Sequence, residues 1–173
     1  MSVEKEYIIP FEGLKVGKHD FSFQISDAFF EELEYSLIEK GEVKATMVLE
    51  KKETMMIADI QLTGFVSSAC DLCTEPLQIE VDIDHHLVFK FGEGESEDEN
   101  LIMVDSSDFK INMGPIFYEV LTVSLPNKNV HEEGECNEDM LDLLDKYSGS
   151  DDDGDDDDDS DIDPRWKALK NLN

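Results

Sequence analysis

Ser67–Phe91 reads SSACDLCTEPLQIEVDIDHHLVFKF. Its second half alternates. Leu77, Ile79, Val81 and Ile83 are apolar, and Gln78, Glu80, Asp82 and Asp84 between them are polar. A period of two sends the two sets to opposite faces of a strand, one toward a core and one toward water. His85 takes the apolar phase and His86 the polar one; both read as satisfied or exposed histidines rather than as ligands. The first half of the stretch is a turn carrying two cysteines, Cys70-Asp71-Leu72-Cys73, followed by Pro76.

Working outward, Val43–Lys51 and Met55–Val66 both have strand composition and are joined by a polar step at Lys52-Glu53. They read as an antiparallel hairpin. Ile57, Asp59, Gln61 and Thr63 share one face of its second strand, and Ala58, Ile60 and Leu62 the other. His19–Ile25 alternates strictly, with Phe21, Phe23 and Ile25 inward. His19 heads that strand as a surface residue. Ser26 or Asp27 then offers an N-cap to a short helix with Phe29, Phe30 and Leu33 on one side. Glu4–Phe11 alternates weakly and suits an edge strand.

Beyond the quoted stretch, Gly92–Asn100 is a hydrophilic loop and Leu101–Val104 a short apolar run. Asn112–Ser124 places Pro115 where a first helical turn accepts it; its β-branched content keeps a strand open. Asn137 precedes a helix over Glu138–Lys146, with Leu141, Leu144 and Met140 as its apolar stripe. The expected fold class is α+β: an antiparallel sheet with a few short helices and a disordered acidic tail. Residues 1–147 form the α+β domain, 148–162 a disordered acidic linker, and 163–173 a short amphipathic helix.

Charge narrows the function classes. The chain has 43 acids against 14 Lys and Arg, a formal net charge of −29. Ten of those acids lie in residues 148–173, so the body before them is strongly acidic in its own right. A surface that tracks phosphates needs clustered bases, and Lys51-Lys52 is the densest point here. Acidity of this kind serves solubility or attraction to a basic partner. The Asp-rich run, including Asp155, Asp156 and Asp157, is too polar to fold and should extend. After it come Arg165, Trp166 and Leu169, in a segment with Pro164 at a helix start. An acidic tether leading to a short basic amphipathic helix reads as a partner-docking element. No stretch approaches the roughly 18 apolar residues of a membrane span, and MSVEKEYIIPFEG has no cleavable apolar core. A reducing, cytoplasmic setting is expected, with thiols free or metal-bound.

Cys70-x-x-Cys73 is the usual half of a tetrahedral zinc site. The other half is His131-Glu-Glu-Gly-Glu-Cys136. Together these four would tie a strand region to a helix region and use every cysteine. Four protein ligands leave no position for water, so such a zinc would be structural. The alternatives are that Cys70 and Cys73 are small apolar turn residues and Cys136 an incidental thiol, or that the pair is redox-active. The last lacks its usual strand–C-x-x-C–helix order. No phosphate-loop, dinucleotide, zinc-protease or nucleophile-elbow motif occurs, and no enzyme is expected.

Five places carry a family resemblance: Tyr7–Leu14 (YIIPFEGL), Gly64-Phe65-Val66 leading to Cys70–Cys73 and Pro76-Leu77, Phe89–Glu93, Ile116–Glu119 leading to Ser124-Leu125-Pro126, and Asp163–Leu169 (DPRWKAL). In this order they resemble the bacterial YceD-like family, described as large ribosomal RNA subunit accumulation proteins. The family often has Arg before the second cysteine; Leu72 stands there, which removes a base from the turn and argues against its gripping phosphate. The resemblance implies a non-enzymatic ribosome biogenesis factor. Its expected partners are basic ribosomal proteins or a pre-ribosomal particle. The rival reading is a zinc-stabilised acidic interaction protein unrelated to ribosomes, either a nucleic-acid mimic or a chaperone of basic proteins.

Overall fold

Four alternating segments, each paired with its neighbour in sequence, make the body. In the computed structural model, which describes residues 6–148 apart from 35, 95 and 106, the elements follow the order β1 (Ile8–Ile9), β2 (Gly17–Ile25), α1 (Asp27–Glu31), β3 (Lys40–Lys51), β4 (Met55–Ala69), β5 (Pro76–Phe91), β6 (Leu101–Val104), β7 (Ile111–Asn112), α2 (Gly114–Ser124) and α3 (Glu138–Tyr147). The chain divides into two compact units, Met1–Asn137 and Glu138–Asn173. The expected linker and terminal helix, with Asp155, Asp156, Asp157, Arg165, Trp166 and Leu169, lie outside the described residues, Ser148 excepted.

The first unit is α+β, with a mostly antiparallel sheet of order β2-β3-β4-β5-β6 and a separate β1-β7 pair. The β3–β4 and β4–β5 ladders are antiparallel and unbroken, from Lys40↔Ser67 to Lys51↔Met56 and from Met55↔Lys90 to Ala69↔Pro76. Register follows from pattern: a slip of one residue would turn every apolar side chain of a strand outward. Ala45, Met47 and Leu49 of β3 and Ala58, Ile60 and Leu62 of β4 are thereby buried on one face. The same core takes in Phe29 and Phe30 of α1, Phe117 and Leu121 of α2, and Met113. Each of these Leu, Ile, Met and Phe side chains removed from water contributes about 1.5–3 kcal/mol.

Tyr7 knits the cover to the sheet. Its ring lies 5.0 Å from Phe29, edge-on, and 6.1 Å from both Phe23 and Phe117. Its hydroxyl donates to the Gln24 carbonyl at 2.9 Å, which satisfies the one polar atom that its burial would otherwise strand. Met47, Met56 and Met113 are core residues, as their softness suits.

The Val43–Lys51/Met55–Val66 hairpin and the Leu77–Phe91 strand stand where the alternation puts them. Asn112–Ser124 resolves as a helix from Gly114, with Pro115 in its first turn. The Glu4–Phe11 segment contributes a strand of two residues, paired with β7 rather than with the main sheet. The departure from an antiparallel sheet is β6, which pairs parallel to β5 from Val88↔Leu101 to Phe91↔Val104. A parallel return ordinarily needs a dozen or more residues. Here β6 begins only three residues back along β5, a distance that residues 92–100 span easily.

Gly64 marks a close approach between β3 and β4. Its φ is +148°, and a Cβ there would sit 2.1 Å from the Glu42 carbonyl oxygen. No side chain fits at that point in the β3–β4 ladder.

Candidate metal centre

The turn between β4 and β5 is Cys70–Glu75. The Cys70 N–H donates to the Glu75 carbonyl at 2.9 Å, and the Thr74 N–H to the Cys70 carbonyl at 2.9 Å. Thr74 adopts φ +62°, a left-handed conformation that is costly for a β-branched residue. This tight loop turns both Cys70 and Cys73 inward, where each is at most 1% exposed.

A second arm comes from residues 126–137, after Pro126 has stopped α2. It is clamped to the turn by polar bonds. The Asp71 N–H donates to the Asn129 carbonyl, and the Asn129 N–H donates back to Asp71 Oδ2, both at 2.7 Å. Asn137 Nδ2 donates to Glu75 Oε1 at 2.7 Å. Within the arm, Gly134 at φ +89° and a bond from the Glu135 N–H to the Glu132 carbonyl fold His131 and Cys136 toward each other.

Cys70, Cys73, His131 and Cys136 are thus brought together, with their ligand atoms all within 4.8 Å of one another. Cys70 Sγ and Cys136 Sγ are 3.9 Å apart. His131 Nδ1 is 3.4 Å from Cys73 Sγ and 3.8 Å from Cys136 Sγ. A tetrahedron with Zn–S near 2.3 Å and Zn–N near 2.0 Å has edges of about 3.8 Å between sulfurs and about 3.5 Å between sulfur and nitrogen. The observed separations fall around those edges. His131 Nε2 lies 3.3 Å from the Pro76 carbonyl; a donated N–H there fixes the tautomer and leaves the Nδ1 lone pair facing the thiols.

The four groups also perturb one another. Burial pushes the Cys70 thiol up, but hydrogen bonds from the backbone of Cys73, Leu72 and His131, and from the Cys73 side chain, outweigh it and bring its pKa down to about 6. His131 is raised, first by its hydrogen bond with Cys70, against the opposing effect of burial, with the Pro76 carbonyl and Cys73 adding to the rise. Cys136 is pushed up to about 11 by burial and by the thiols of Cys70 and Cys73. The cluster therefore favours a thiolate at Cys70 and protons on His131 and Cys136. A soft cation would replace those protons. A Cys3His donor set of this geometry could hold a metal such as zinc, and four protein ligands would make the site structural.

Elsewhere the electrostatics run against phosphate binding. The Lys51 ammonium donates to the carbonyls of Phe11 and Leu14 at 2.7 and 2.9 Å, and Lys52 Nζ lies 3.7 Å from Glu50. The densest basic point of the sequence is thus engaged within the chain. The open face of the sheet forms a concavity of about 750 Å³ lined by Asp20, Lys44, Asp59, Asp84 and His86 among others. His86 Nδ1 meets Asp59 Oδ1 at 2.7 Å on this exposed face, and His85 points to the half-buried side. His19 Nε2 lies 2.7 Å from the Lys15 carbonyl.

Sequence reasoning found the four candidate ligands but missed Asp71, Glu75, Asn129 and Asn137, which hold the two halves in register. An acid between two cysteines was the one visible signal. Nothing in the spacing singles out Asn129.

A sheet body whose central hairpin ends in such a cluster defines an acidic α+β protein with a potential structural metal centre. Within that class the chain belongs to the YceD family. The family model described as Large ribosomal RNA subunit accumulation protein YceD matches residues 58–173, more than half of the chain. The match begins inside β4 and contains all four cluster residues; the Tyr7–Leu14 motif precedes it. No curated protein and no solved structure matches the chain.

Proposed function

We propose that this protein is a non-enzymatic cytoplasmic factor in ribosome biogenesis that promotes accumulation of large-subunit ribosomal RNA. The family match carries this reading. The protein acts chiefly through basic ribosomal proteins, alone or within a pre-ribosomal particle. A net charge of −29 repels naked RNA and attracts such partners. The Asp155–Asp157 run steers them, and Arg165, Trp166 and Leu169 help to hold them. Zinc on Cys70, Cys73, His131 and Cys136 serves as a structural staple. Among the described residues no helix is long and apolar enough to cross a membrane.

The test is depletion of the protein in its host, with the ratio of large- to small-subunit ribosomal RNA as readout. The ratio should fall and recover when the chain is supplied again. An unchanged ratio would overturn the proposal and favour the rival, an acidic mimic or chaperone working elsewhere. Elemental analysis of the purified chain tests the staple: near-stoichiometric zinc is expected, lost in Cys70→Ser and in His131→Ala.

A further inference from the structure

α3 buries none of its side chains, yet it is strongly two-sided. Leu143, Leu144 and Tyr147 are 46%, 45% and 75% exposed. At about 100° per residue these three share one stripe, with Met140 one turn before them. The positions correspond to i, i+3, i+4 and i+7, the spacing by which an amphipathic helix enters a groove. Glu138, Asp139, Asp142 and Asp145 fall on the other side and flanks. The helix end is closed by the Ser148 N–H donating to the Leu144 carbonyl at 2.7 Å. Lys146 Nζ stands 5.8 Å from the Tyr147 ring centroid, which leaves the rest of that ring to solvent. A helix of ten residues is marginal on its own, so a surface that covered the stripe would also stabilise the helix.

We propose that α3 is a docking helix: the Leu143–Leu144–Tyr147 stripe seats in an apolar groove of a cationic protein, and the flanking carboxylates meet the Lys and Arg residues at the groove's rim. Charge selects this occupant. A second copy would bring another net −29 against the acids of α3, and a groove rimmed by carboxylates would repel them. A cationic protein satisfies both halves of the helix together. The inference rests on the reading above, in which basic ribosomal proteins are the partners, and it names the surface they would use.

The experiment immobilises the full chain. The probe is the basic protein fraction stripped from purified large ribosomal subunits with lithium chloride. The Leu143→Ala/Leu144→Ala pair keeps a strong helix former at both positions, and circular dichroism checks that the helix survives. Affinity should fall at least tenfold in that pair, less in Tyr147→Ala, and should weaken as salt is raised. Wild-type binding that the pair leaves unchanged would overturn the docking helix and leave the basic-partner reading standing. If the wild-type chain binds nothing in the fraction, both fail together. Self-association of the chain that the same pair abolishes would make the occupant a second copy and overturn the proposal.

Discussion

The core of the sheet and the cysteine end of the β4–β5 hairpin are held by different forces. In the core, Ala45, Met47, Leu49, Ile60 and Leu62 are nearly inaccessible and meet the apolar faces of α1 and α2. Apolar burial of that kind is non-directional and distributed over many side chains. At the cysteine end, the arm of residues 126–137 carries three acids between Val130 and Cys136, Glu132, Glu133 and Glu135, with scarcely any apolar cover. It is fixed by a handful of polar clamps and by four convergent ligand atoms. The first region should tolerate loss of any single polar contact. The second should depend far more on each of them, because it has little apolar burial to fall back on.

The sharpest way to test the contrast is to damage the sheet directly. Gly64→Ala puts a methyl group where the Glu42 carbonyl already sits, and no flexible side chain can yield. We expect a loss of about 4 kcal/mol, read as a lower urea midpoint for the whole protein. A loss under about 1 kcal/mol would mean that the β3–β4 ladder relaxes far more easily than its register suggests.

If the cluster holds zinc as proposed, removing it with a chelator should act locally. Amides of the 126–137 arm should lose hydrogen-exchange protection while those of Ala45–Leu49 and Ala58–Leu62 keep theirs. Simultaneous loss in both places would show one cooperative unit and dissolve the distinction. The pH dependence has a definite sign. Cys136 is raised to about 11 and His131 is raised above its usual value, so metal must displace protons from both. Zinc affinity should therefore strengthen from pH 6 to pH 8, with proton release measurable by calorimetry in buffers of different ionisation enthalpy. An affinity flat across that range would contradict the assignment of ligands.

Two smaller effects probe the clamps. Asp71→Ala removes the acceptor for the Asn129 N–H and should weaken zinc binding about tenfold, as loss of groups that orient ligands commonly does. Competition with a chromogenic chelator reads it. Thr74→Gly relieves the left-handed strain at φ +62° but loses the Thr74 hydroxyl bond to the Cys73 carbonyl. A net gain of about 0.5 kcal/mol is expected, and a destabilised variant would mean that the hydroxyl outweighs the strain.

Alternation made the sheet legible. In β5 the apolar and polar positions separate without exception from Leu77 to Asp84, and the partner ladders follow from that. The β1–β7 pair was not legible, because two residues per strand hold no period. Nor was the parallel seating of β6: Leu101–Val104 is apolar throughout, and such a run gives no direction. The phase of α2 is not fixed by its sequence, since Ile116, Tyr118 (or Phe117), Val120 and Leu121 all suit a core face, and Phe117 and Leu121 are the ones buried. The cluster's candidate ligands were readable because the chemistry they offer is restricted to few residue types. The clamps were not, because Asp71 and Asn129 stand 58 positions apart in sequence and meet only once the chain between them has folded.

The order in which contacts become possible follows from the meander. Strands β2 to β5 each pair with the strand next in sequence, so loops closed during their zippering are short and cheap in entropy. The Cys70–Cys136 approach spans 66 residues. A chain emerging from its own ribosome N-terminus first presents the complete four-strand sheet, with Cys70 and Cys73 already at its tip, well before Cys136 exists. Of the four candidate ligands, the last to be synthesised would thus also be the last to arrive, and capture of a metal there would mark the moment when sheet and arm are joined.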